Sequence, residues 1–168
     1  RSLDEVIEDA DLFLGLSGPN VLETSMIKKM RAKPIIFALA NPSPEVMPEN
    51  ARKAAADAII ATGRSDFPNQ VNNVLCFPFI FRGALDVEAT EINDEMQLAC
   101  IDAIAEIAKT TTSAEAAAAY QGEALTFGPE YLIPKPFDPR LSVVVSSAVA
   151  QAAMQSGVAK KPLADLES

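Results

Sequence analysis

Three short apolar runs, each followed at once by small or amide-bearing residues, constrain the fold of this chain more than any other feature. The runs occupy residues 11–16, 34–40 and 58–62. None of them alternates polar with apolar residues, and such continuous runs are typical of strands in a parallel sheet that is covered on both faces. The sequence therefore predicts three buried, parallel strands in the first half of the chain.

Two helical segments separate the predicted strands. Leu22, Met26 and Met30 recur every four residues, as expected for one face of a helix. Pro48 suits the first turn of a second helix, which we predict over residues 49–56. Strand, helix, strand, helix, strand is a right-handed βαβαβ unit.

Parallel strands deliver their C-terminal ends to one edge of the sheet. Residues 17–19, 41–43 and 62–64 follow the three apolar runs and read Ser-Gly-Pro, Asn-Pro-Ser and Thr-Gly-Arg. Small residues allow a ligand to approach the backbone closely, but the same residue types also form ordinary turns. The pattern therefore predicts either a ligand crevice or a plain set of turns at this edge, and both alternatives stay open.

The second half of the chain predicts helices. The apolar segment 76–85 is typical of a helix packed in a core, and Asn93 is suited to cap the next helix. A further helix is predicted over residues 138–156, ending at Gly157. The helix after Asn93 has one buried stripe, formed by Met96, Ala99, Cys100, Ala103, Ile104 and Ile107.

Three segments of the second half are less regular. Residues 110–120 predict a short helix, and residues 128–139 predict a proline-rich connector. Residues 158–168 predict a tail or linker after the last helix.

Charge and composition exclude several classes of function. The 168 residues include 14 basic and 23 acidic side chains, and the net charge of −9 argues against a nucleic-acid partner. No apolar run approaches the ~20 residues that span a bilayer, so we expect no membrane association. The chain has no histidine, which removes the commonest general base and zinc ligand. Two cysteines, Cys76 and Cys100, are too few for a disulfide framework, and we expect buried thiols in a reducing cytoplasm.

Four phrases, spread in order over nearly the whole chain, resemble the cofactor-binding domain of malic enzymes, above all the bacterial type. This resemblance implies an α/β fold, the second half of a Rossmann-like doubly wound parallel sheet followed by C-terminal helices. Residues 1–157 would be a partial NAD(P)-binding domain, and residues 158–168 would be the tail. The phrases are GLSGPN at residues 15–20, IIFALANPSPE at 35–45, AIIATGRSDFPNQVNNVLCFPFIFRGALD at 58–86 and IPKPFDPRL at 133–141.

The half of a dinucleotide fold that carries a Gly-x-Gly-x-x-Gly turn has no counterpart in this sequence. Gly15 and Gly18 do not have the spacing of that fingerprint. We therefore interpret the chain as a fragment whose missing half pairs beside the first strand. A free sheet edge there would invite aggregation, so the expected partners are the remainder of a malic enzyme chain and further copies in a homo-oligomer.

The resemblance implies an oxidative decarboxylase that converts malate to pyruvate and CO₂ and reduces NADP, with NAD as the alternative cofactor. Mg²⁺ or Mn²⁺ would be bound by residues outside this chain. The family's catalytic tyrosine, catalytic lysine and metal-binding carboxylates have no matching positions, so no catalytic residue is assigned. Tyr120, Tyr131 and Lys135 lie outside the catalytic motifs.

Four residues are implied to contact ligands. Asn41 matches the family's asparagine that contacts substrate and nicotinamide, and Asn73 matches the asparagine near the malate carboxylate; both are assigned to substrate and cofactor binding. Ser17 and Gly18 are weaker candidates that would support the cofactor through main-chain groups. A neutral amide can orient an anion without adding a competing charge. The alternatives are a turn before Pro42 for Asn41 and a helix cap for Asn73.

Other interpretations stay open at this point. Arg64 suits a carboxylate or phosphate, but an ion pair with Asp66 is equally compatible with the sequence, so we exclude Arg64 from the site. The chain could also be a non-catalytic regulatory or assembly module, or part of an amino-acid dehydrogenase. The four ordered phrases favour a malic enzyme over both.

Overall fold

The structure is a computed structural model of the chain and describes residues 2–110 and 125–163. It divides into two compact units, Arg1–Val71 and Asn72–Ser168, and each has its own hydrophobic core. Within the described residues, no helix combines the length and the apolar character needed to cross a bilayer.

The first unit contains a parallel sheet of three strands in the order β1, β2, β3. Its register places Leu12 opposite Ile35, and Ile35 opposite Ile59. The predicted parallel sheet is confirmed, and each strand lies within one of the three apolar runs. The strands are β1 Leu12–Gly15, β2 Ile35–Ala38 and β3 Ile59–Thr62.

The helices of the first unit are shorter than the sequence predicted. Helix α3 begins at Pro48, as expected, but α2 covers only four residues although the four-residue spacing extends from Leu22 to Met30. The N–H of Leu22 donates to the carbonyl oxygen of Glu45, at 3.1 Å, so Leu22 lies outside the helix. At the other end, the N–H of Met30 donates to the carbonyl oxygen of Ile27, three residues back, so the chain continues in a tighter turn. The helices are α1 Leu3–Val6, α2 Thr24–Ile27 and α3 Pro48–Ala54.

The sheet is not covered equally on its two faces. Phe13, Ile36 and Ile60 lie in the core of the first unit, whereas Leu12 and Leu14 on the opposite face of β1 are 51% and 54% exposed. The predicted cover of both faces is therefore absent at β1 within the described residues. The physical reason is that the helices of this unit pack against the face of the sheet that carries Phe13, where they form one hydrophobic core.

The second unit is helical, and its helices lie where the sequence predicted them. Asn93 caps α5, because its side chain accepts a hydrogen bond from the N–H of Met96 at 3.1 Å. Gly157 follows α6 with a φ of 79°, a left-handed conformation that favours glycine after a helix. The elements are a 3₁₀ turn Asn73–Leu75, α4 Phe77–Asp86, α5 Asp94–Lys109 and α6 Arg140–Gln155.

The less regular segments agree with the sequence in part. Residues 128–139 form an irregular connector, as predicted, whereas the helix predicted over residues 110–120 lies outside the described residues apart from Thr110. After α6, the N–H of Lys161 donates to the carbonyl oxygen of Val87 at 3.0 Å. The start of the predicted tail is thus hydrogen-bonded within the second unit, and the boundary at residue 157 stays a prediction.

Helix α6 packs against both α4 and α5, and α4 approaches it unusually closely at Gly83. A Cβ atom at Gly83 would be 2.5 Å from the carbonyl oxygen of Ser146 and 2.8 Å from Cβ of Val149. A glycine inside a helix lowers its stability by ~1 kcal/mol relative to alanine. Its presence here is explained by the close contact between the two helices.

We expect Gly83→Ala to destabilise the second unit, although alanine is the better helix former. The new methyl group would collide with the backbone of α6, and overpacking of this kind costs about 1–3 kcal/mol. Thermal unfolding of the full-length protein, followed by circular dichroism, should show a lower Tm. Gly128→Ala is the control, because its Cβ would have only the carbonyl oxygen of Thr126 nearby, at 3.8 Å. Equal Tm values for the two variants would contradict the close-contact explanation.

Candidate functional site

The C-terminal ends of the three parallel strands lie at one edge of the sheet, as predicted. We call this edge the rim and define it by residues 15–18, 40–45 and 62–64. On it, Ser17 and Asn41 are exposed and Gly63 is half-buried. The rim therefore presents an amide and small residues to solvent.

A buried carboxylate links two of the three rim turns. Glu45 is completely buried, and its Oε1 accepts a hydrogen bond from the N–H of Ser17 at 2.8 Å. Its Oε2 accepts from the N–H of Ala40 at 3.1 Å. Hydrogen bonds of this kind offset the cost of burying a carboxyl group. Glu45 thus attaches the end of β1 to the end of β2.

Gly15 provides the space for this carboxylate. A Cβ atom at Gly15 would overlap with the carboxylate carbon of Glu45 and lie 2.7 Å from both of its oxygens. The main chain joins the same two segments, because the N–H of Asn20 donates to the carbonyl oxygen of Pro44 at 3.2 Å. The turns after β1 and β2 are therefore connected by side-chain and main-chain hydrogen bonds.

Asn41 follows Ala40 directly, and its side chain lies beside the turn after β3. Its Nδ2 atom would be 3.2 Å from a Cβ atom placed on Gly63. The chain bends at residues 41–43, so Asn41 does begin a turn, and the Asn41–Pro42 peptide bond is cis. The side chain nevertheless remains exposed, and the turn and ligand interpretations of Asn41 are compatible.

Ser17 and Gly18 differ in what they can offer to a cofactor. The N–H of Ser17 already donates to Glu45, and the Ser17 hydroxyl is 3.4 Å from the same oxygen. At Gly18, an added Cβ atom would meet no atom within 4 Å. A ligand has room beside Gly18, whereas the main-chain N–H of Ser17 is engaged. The roles of both residues in cofactor binding stay predictions.

Arg64 forms the ion pair that was one of its two alternatives. Its Nε and Nη2 atoms donate to the two carboxylate oxygens of Asp66 at 2.8 and 2.6 Å. These hydrogen bonds raise the pKa of Arg64 and lower the pKa of Asp66. The guanidinium carbon also lies 5.4 Å from the centre of the Phe67 ring, within the range of a cation–π contact. The side chain of Arg64 thus makes its contacts with residues of its own loop.

The cap at the start of the second unit belongs to Asn72 and not to Asn73. Oδ1 of Asn72 accepts a hydrogen bond from the N–H of Val74 at 3.0 Å. Asn73 is exposed, and its carboxamide forms no hydrogen bond with the described residues. The cap interpretation of Asn73 is wrong, and its amide is accessible to a ligand.

Sequence reasoning missed Glu45 and Gly15 as residues that build the rim. Both lie inside phrases that were singled out, but neither belongs to a motif with a known spacing. The available signal was an isolated acid between Pro44 and Val46, in a segment with several prolines and apolar residues. An acid that such a segment buries needs hydrogen-bond donors, and the ends of neighbouring strands supply them.

The described residues do not fit a metal ion. No group of three or more cysteine, aspartate or glutamate side chains among them is placed to hold one. Glu45 is buried behind main-chain donors, and Asp66 is paired with Arg64. The rim instead suits an organic ligand, because it has an exposed amide at Asn41 and open space at Gly18.

The parallel sheet and its helices define an α/β domain of the Rossmann-like class, and the comparison with known proteins makes the assignment specific. Residues 1–120 match the family described as malic enzyme, NAD binding domain. The chain is 64% identical over 167 residues to the NADP-dependent malic enzyme of Escherichia coli (strain K12). It is 57% identical over 168 residues to the NAD-dependent malic enzyme of Rhizobium meliloti (strain 1021).

A solved structure supports the same assignment. The crystal structure of malic enzyme from Pyrococcus horikoshii Ot3 matches with a TM-score of 0.79 at 43% identity, over 96% of this chain and 34% of that one. This chain belongs to the malic enzyme family, and the predicted Rossmann-like fold is confirmed. The two bacterial matches cover 99% and 100% of the chain, which spans 22% of the length of each relative.

The two thiols of the second unit lie close together. The Sγ atoms of Cys76 and Cys100 are 3.4 Å apart. Cys100 is buried, as predicted, whereas Cys76 is only half-buried. Burial, together with the hydrogen bond and the charge of the neighbouring Cys76, raises the pKa of Cys100 to about 12.

We expect iodoacetamide to modify Cys76 well before Cys100 in the folded protein. The thiolate is the reactive form, and a buried thiol with a strongly raised pKa should react at least ~10-fold more slowly. Mass spectrometry of samples quenched at increasing times, at mildly alkaline pH, measures both rates. The Cys76→Ser variant serves as control and should stay almost unmodified. Rapid labelling of Cys100 in that variant would contradict its burial.

Proposed function

We propose that this chain is the cofactor-side part of an enzyme that oxidises malate with NADP, releases CO₂ and forms pyruvate. Similarity to NADP-dependent malic enzymes over the whole chain supports the reaction class. The observation that carries the proposal is the exposed side chain of Asn41 on the rim. Asn41 lies beside Gly63, in the turn after β2, which is hydrogen-bonded to Glu45.

The proposed role of Asn41 is to orient the nicotinamide and the substrate. A carboxamide has both a donor and an acceptor, so one side chain can bond the carboxamide of nicotinamide and an oxygen of malate. Malate carries negative charge, whereas the oxidised nicotinamide ring carries positive charge. A neutral side chain can orient both without repelling either.

The proposed role of Asn73 is to donate a hydrogen bond to a carboxylate of malate. Its exposure supports this role, and so does the capping of the 3₁₀ turn by Asn72, which leaves the Asn73 amide available. A hydrogen bond to a charged ligand contributes about 1.5–3 kcal/mol. Asn73 would therefore contribute to substrate affinity and orientation more than to chemistry.

NADP is our proposal for the cofactor. Several NADP-dependent malic enzymes are similar to this chain, with identities of 64% and 63% for two of them. An NAD-dependent malic enzyme is 57% identical, so the residues described here are compatible with either cofactor. A divalent cation would polarise the reacting oxygens of malate, but the described residues do not fit one. We assign its binding, and the proton transfers, to the remainder of the protein.

We further propose that the isolated chain is inactive and that the whole protein is a homo-oligomer. Leu12 and Leu14 are exposed on β1, and an apolar surface at a sheet edge needs cover. The remainder of the malic enzyme chain and a second copy are the proposed sources of that cover. The cytoplasmic location expected from the sequence stays a prediction.

A regulatory or assembly module that uses the same fold is the alternative. It would account for the lack of assigned catalytic residues, but a fragment of an enzyme accounts for it equally well. The exposed amides of Asn41 and Asn73 favour the enzyme, because a module without nucleotide chemistry has no need of them.

The first experiment is to measure malate-dependent reduction of NADP by the longest native form of the protein in the presence of Mn²⁺. Turnover that requires both malate and the metal supports the proposal. A folded protein that reduces neither NADP nor NAD would favour the regulatory module.

In the full-length protein, we expect Asn73→Ala to impair the use of malate. Loss of one hydrogen bond to a charged ligand should lower kcat/KM for malate by about 1–3 kcal/mol, or roughly 5- to 150-fold. Steady-state kinetics at saturating NADP measure this change. Asn50→Ala is the matched control, because Asn50 is an exposed asparagine on α3. Unchanged malate kinetics in the Asn73 variant would remove this assignment.

We expect Gly63→Ala to reduce turnover by displacing Asn41. The new Cβ atom would lie 3.2 Å from Nδ2 of Asn41, so the carboxamide has to move by a few tenths of an ångström. Small displacements of an orienting group can lower rates substantially, here by roughly 10-fold in kcat. Gly128→Ala is again the control, and the Tm of both variants shows whether folding is preserved. Normal kcat in a folded Gly63 variant would argue against the role of Asn41.

A further inference from the structure

We propose that Glu45 is a positioning residue, which sets the place of Asn41 by tying the turn after β2 to the turn after β1. Its effect on turnover rests on the proposed function, whereas the hydrogen-bonding arrangement itself rests on the rim geometry alone. The substrate-side role of Asn41 would then depend on a buried acid that never touches a ligand.

Glu45 is hydrogen-bonded to the residue that directly precedes Asn41 in the chain. Oε2 of Glu45 accepts from the N–H of Ala40 at 3.1 Å, and Asn41 is the next residue. The backbone that leads into Asn41 is therefore held at the Leu39–Ala40 peptide group, one residue before Asn41. A hydrogen bond to a carboxylate is stronger than one to a neutral acceptor.

The carboxylate of Glu45 is itself anchored by the segment after β1. Its other oxygen accepts from the N–H of Ser17 at 2.8 Å, and the carbonyl oxygen of Glu45 accepts from the N–H of Leu22 at 3.1 Å. The side chain is completely buried, so no solvent competes for these bonds. Any shift of Glu45 has to break hydrogen bonds to the segment after β1.

The side chain of Asn41 also lies beside the turn after β3. Its carboxamide lies against Gly63, where even one added carbon would come within 3.2 Å of Nδ2. The side chain is thus held between a fixed backbone on one side and the turn after β3 on the other. A continuous series of contacts therefore crosses the ends of the three strands. It runs through Ser17, Glu45, Ala40, Asn41 and Gly63.

The surroundings of the Glu45 side chain fit a carboxylate. Gly15 leaves the space that its two oxygens occupy, at 2.7 Å from where a Cβ atom would be. Both oxygens act as acceptors of main-chain N–H groups. A glutamine side chain has one acceptor oxygen and one NH₂ donor. In Glu45→Gln the NH₂ group would therefore face the main-chain N–H of either Ser17 or Ala40, and the hydrogen bond to that N–H would be lost.

A double-mutant cycle in the full-length protein tests the proposal. Glu45→Gln should lower kcat/KM for malate about 10-fold in the wild-type background but less than about 2-fold in the Asn41→Ala background, because coupled residues are non-additive. Glu45→Asp keeps a carboxylate and should retain more activity than Glu45→Gln. Glu49→Gln, an exposed acid on α3, is the matched control.

Hydrogen exchange followed by mass spectrometry gives a readout that needs no activity. The amides of Ser17 and Ala40 should exchange faster in Glu45→Gln than in wild type, and equally fast in Glu49→Gln and wild type. If Glu45→Gln does not fold, the Glu45→Asp variant replaces it in both measurements, with partial effects expected. The measurements are made on protein whose folding is established by circular dichroism.

The outcomes separate this inference from the proposed function. Reduced activity with coupling to Asn41 and faster exchange supports it. Independent losses at Glu45 and Asn41, or unchanged exchange at Ser17 and Ala40, overturn it. If the wild-type protein shows no malate-dependent turnover, the proposed function is rejected. Faster exchange in Glu45→Gln would in that case still support the link that Glu45 makes between the two turns.

Discussion

The rim depends on one constraint: the main-chain N–H groups just beyond the ends of the strands need hydrogen-bond acceptors. Within a parallel sheet each main-chain N–H finds a carbonyl on the next strand, but that ladder stops where the strands end. The N–H groups of Ser17 and Ala40 lie just past this point, and Glu45 supplies both acceptors. One buried side chain thereby replaces two missing ladder bonds and holds two turns together.

Close approach at glycine is a second physical feature, and it occurs in both units. Gly15 leaves room for the carboxylate of Glu45, and Gly63 leaves room for the carboxamide of Asn41. In the second unit, Gly83 lets α4 approach the backbone of α6. In each case a methyl group would occupy space that a neighbouring group already fills. These glycines are explained by what lies opposite them and not by a special backbone conformation.

The sequence predicted those features that depend on local patterns. The apolar runs located three strands, and Asn93 and Gly157 marked the ends of two helices correctly, because capping involves residues within one turn. The four-residue spacing predicted too long an α2, in part because Leu22 is hydrogen-bonded to Glu45 in a distant segment and not within the helix. Glu45 itself was missed because its partner Ser17 is 28 residues away along the chain.

The chemistry of the rim is consistent with a division of tasks within a malic enzyme. Oxidation and decarboxylation of malate need charged groups that transfer protons and bind a cation, and the described residues offer no such cluster. They present neutral amides and open space, while Glu45 is buried behind main-chain donors and Asp66 is paired with Arg64. Main-chain N–H groups occupy both oxygens of Glu45, so this carboxylate acts as an acceptor that holds the turn before Asn41. Under the proposed function, the contribution of the described residues would be to position ligands, and the charged chemistry is assigned to the remainder of the protein.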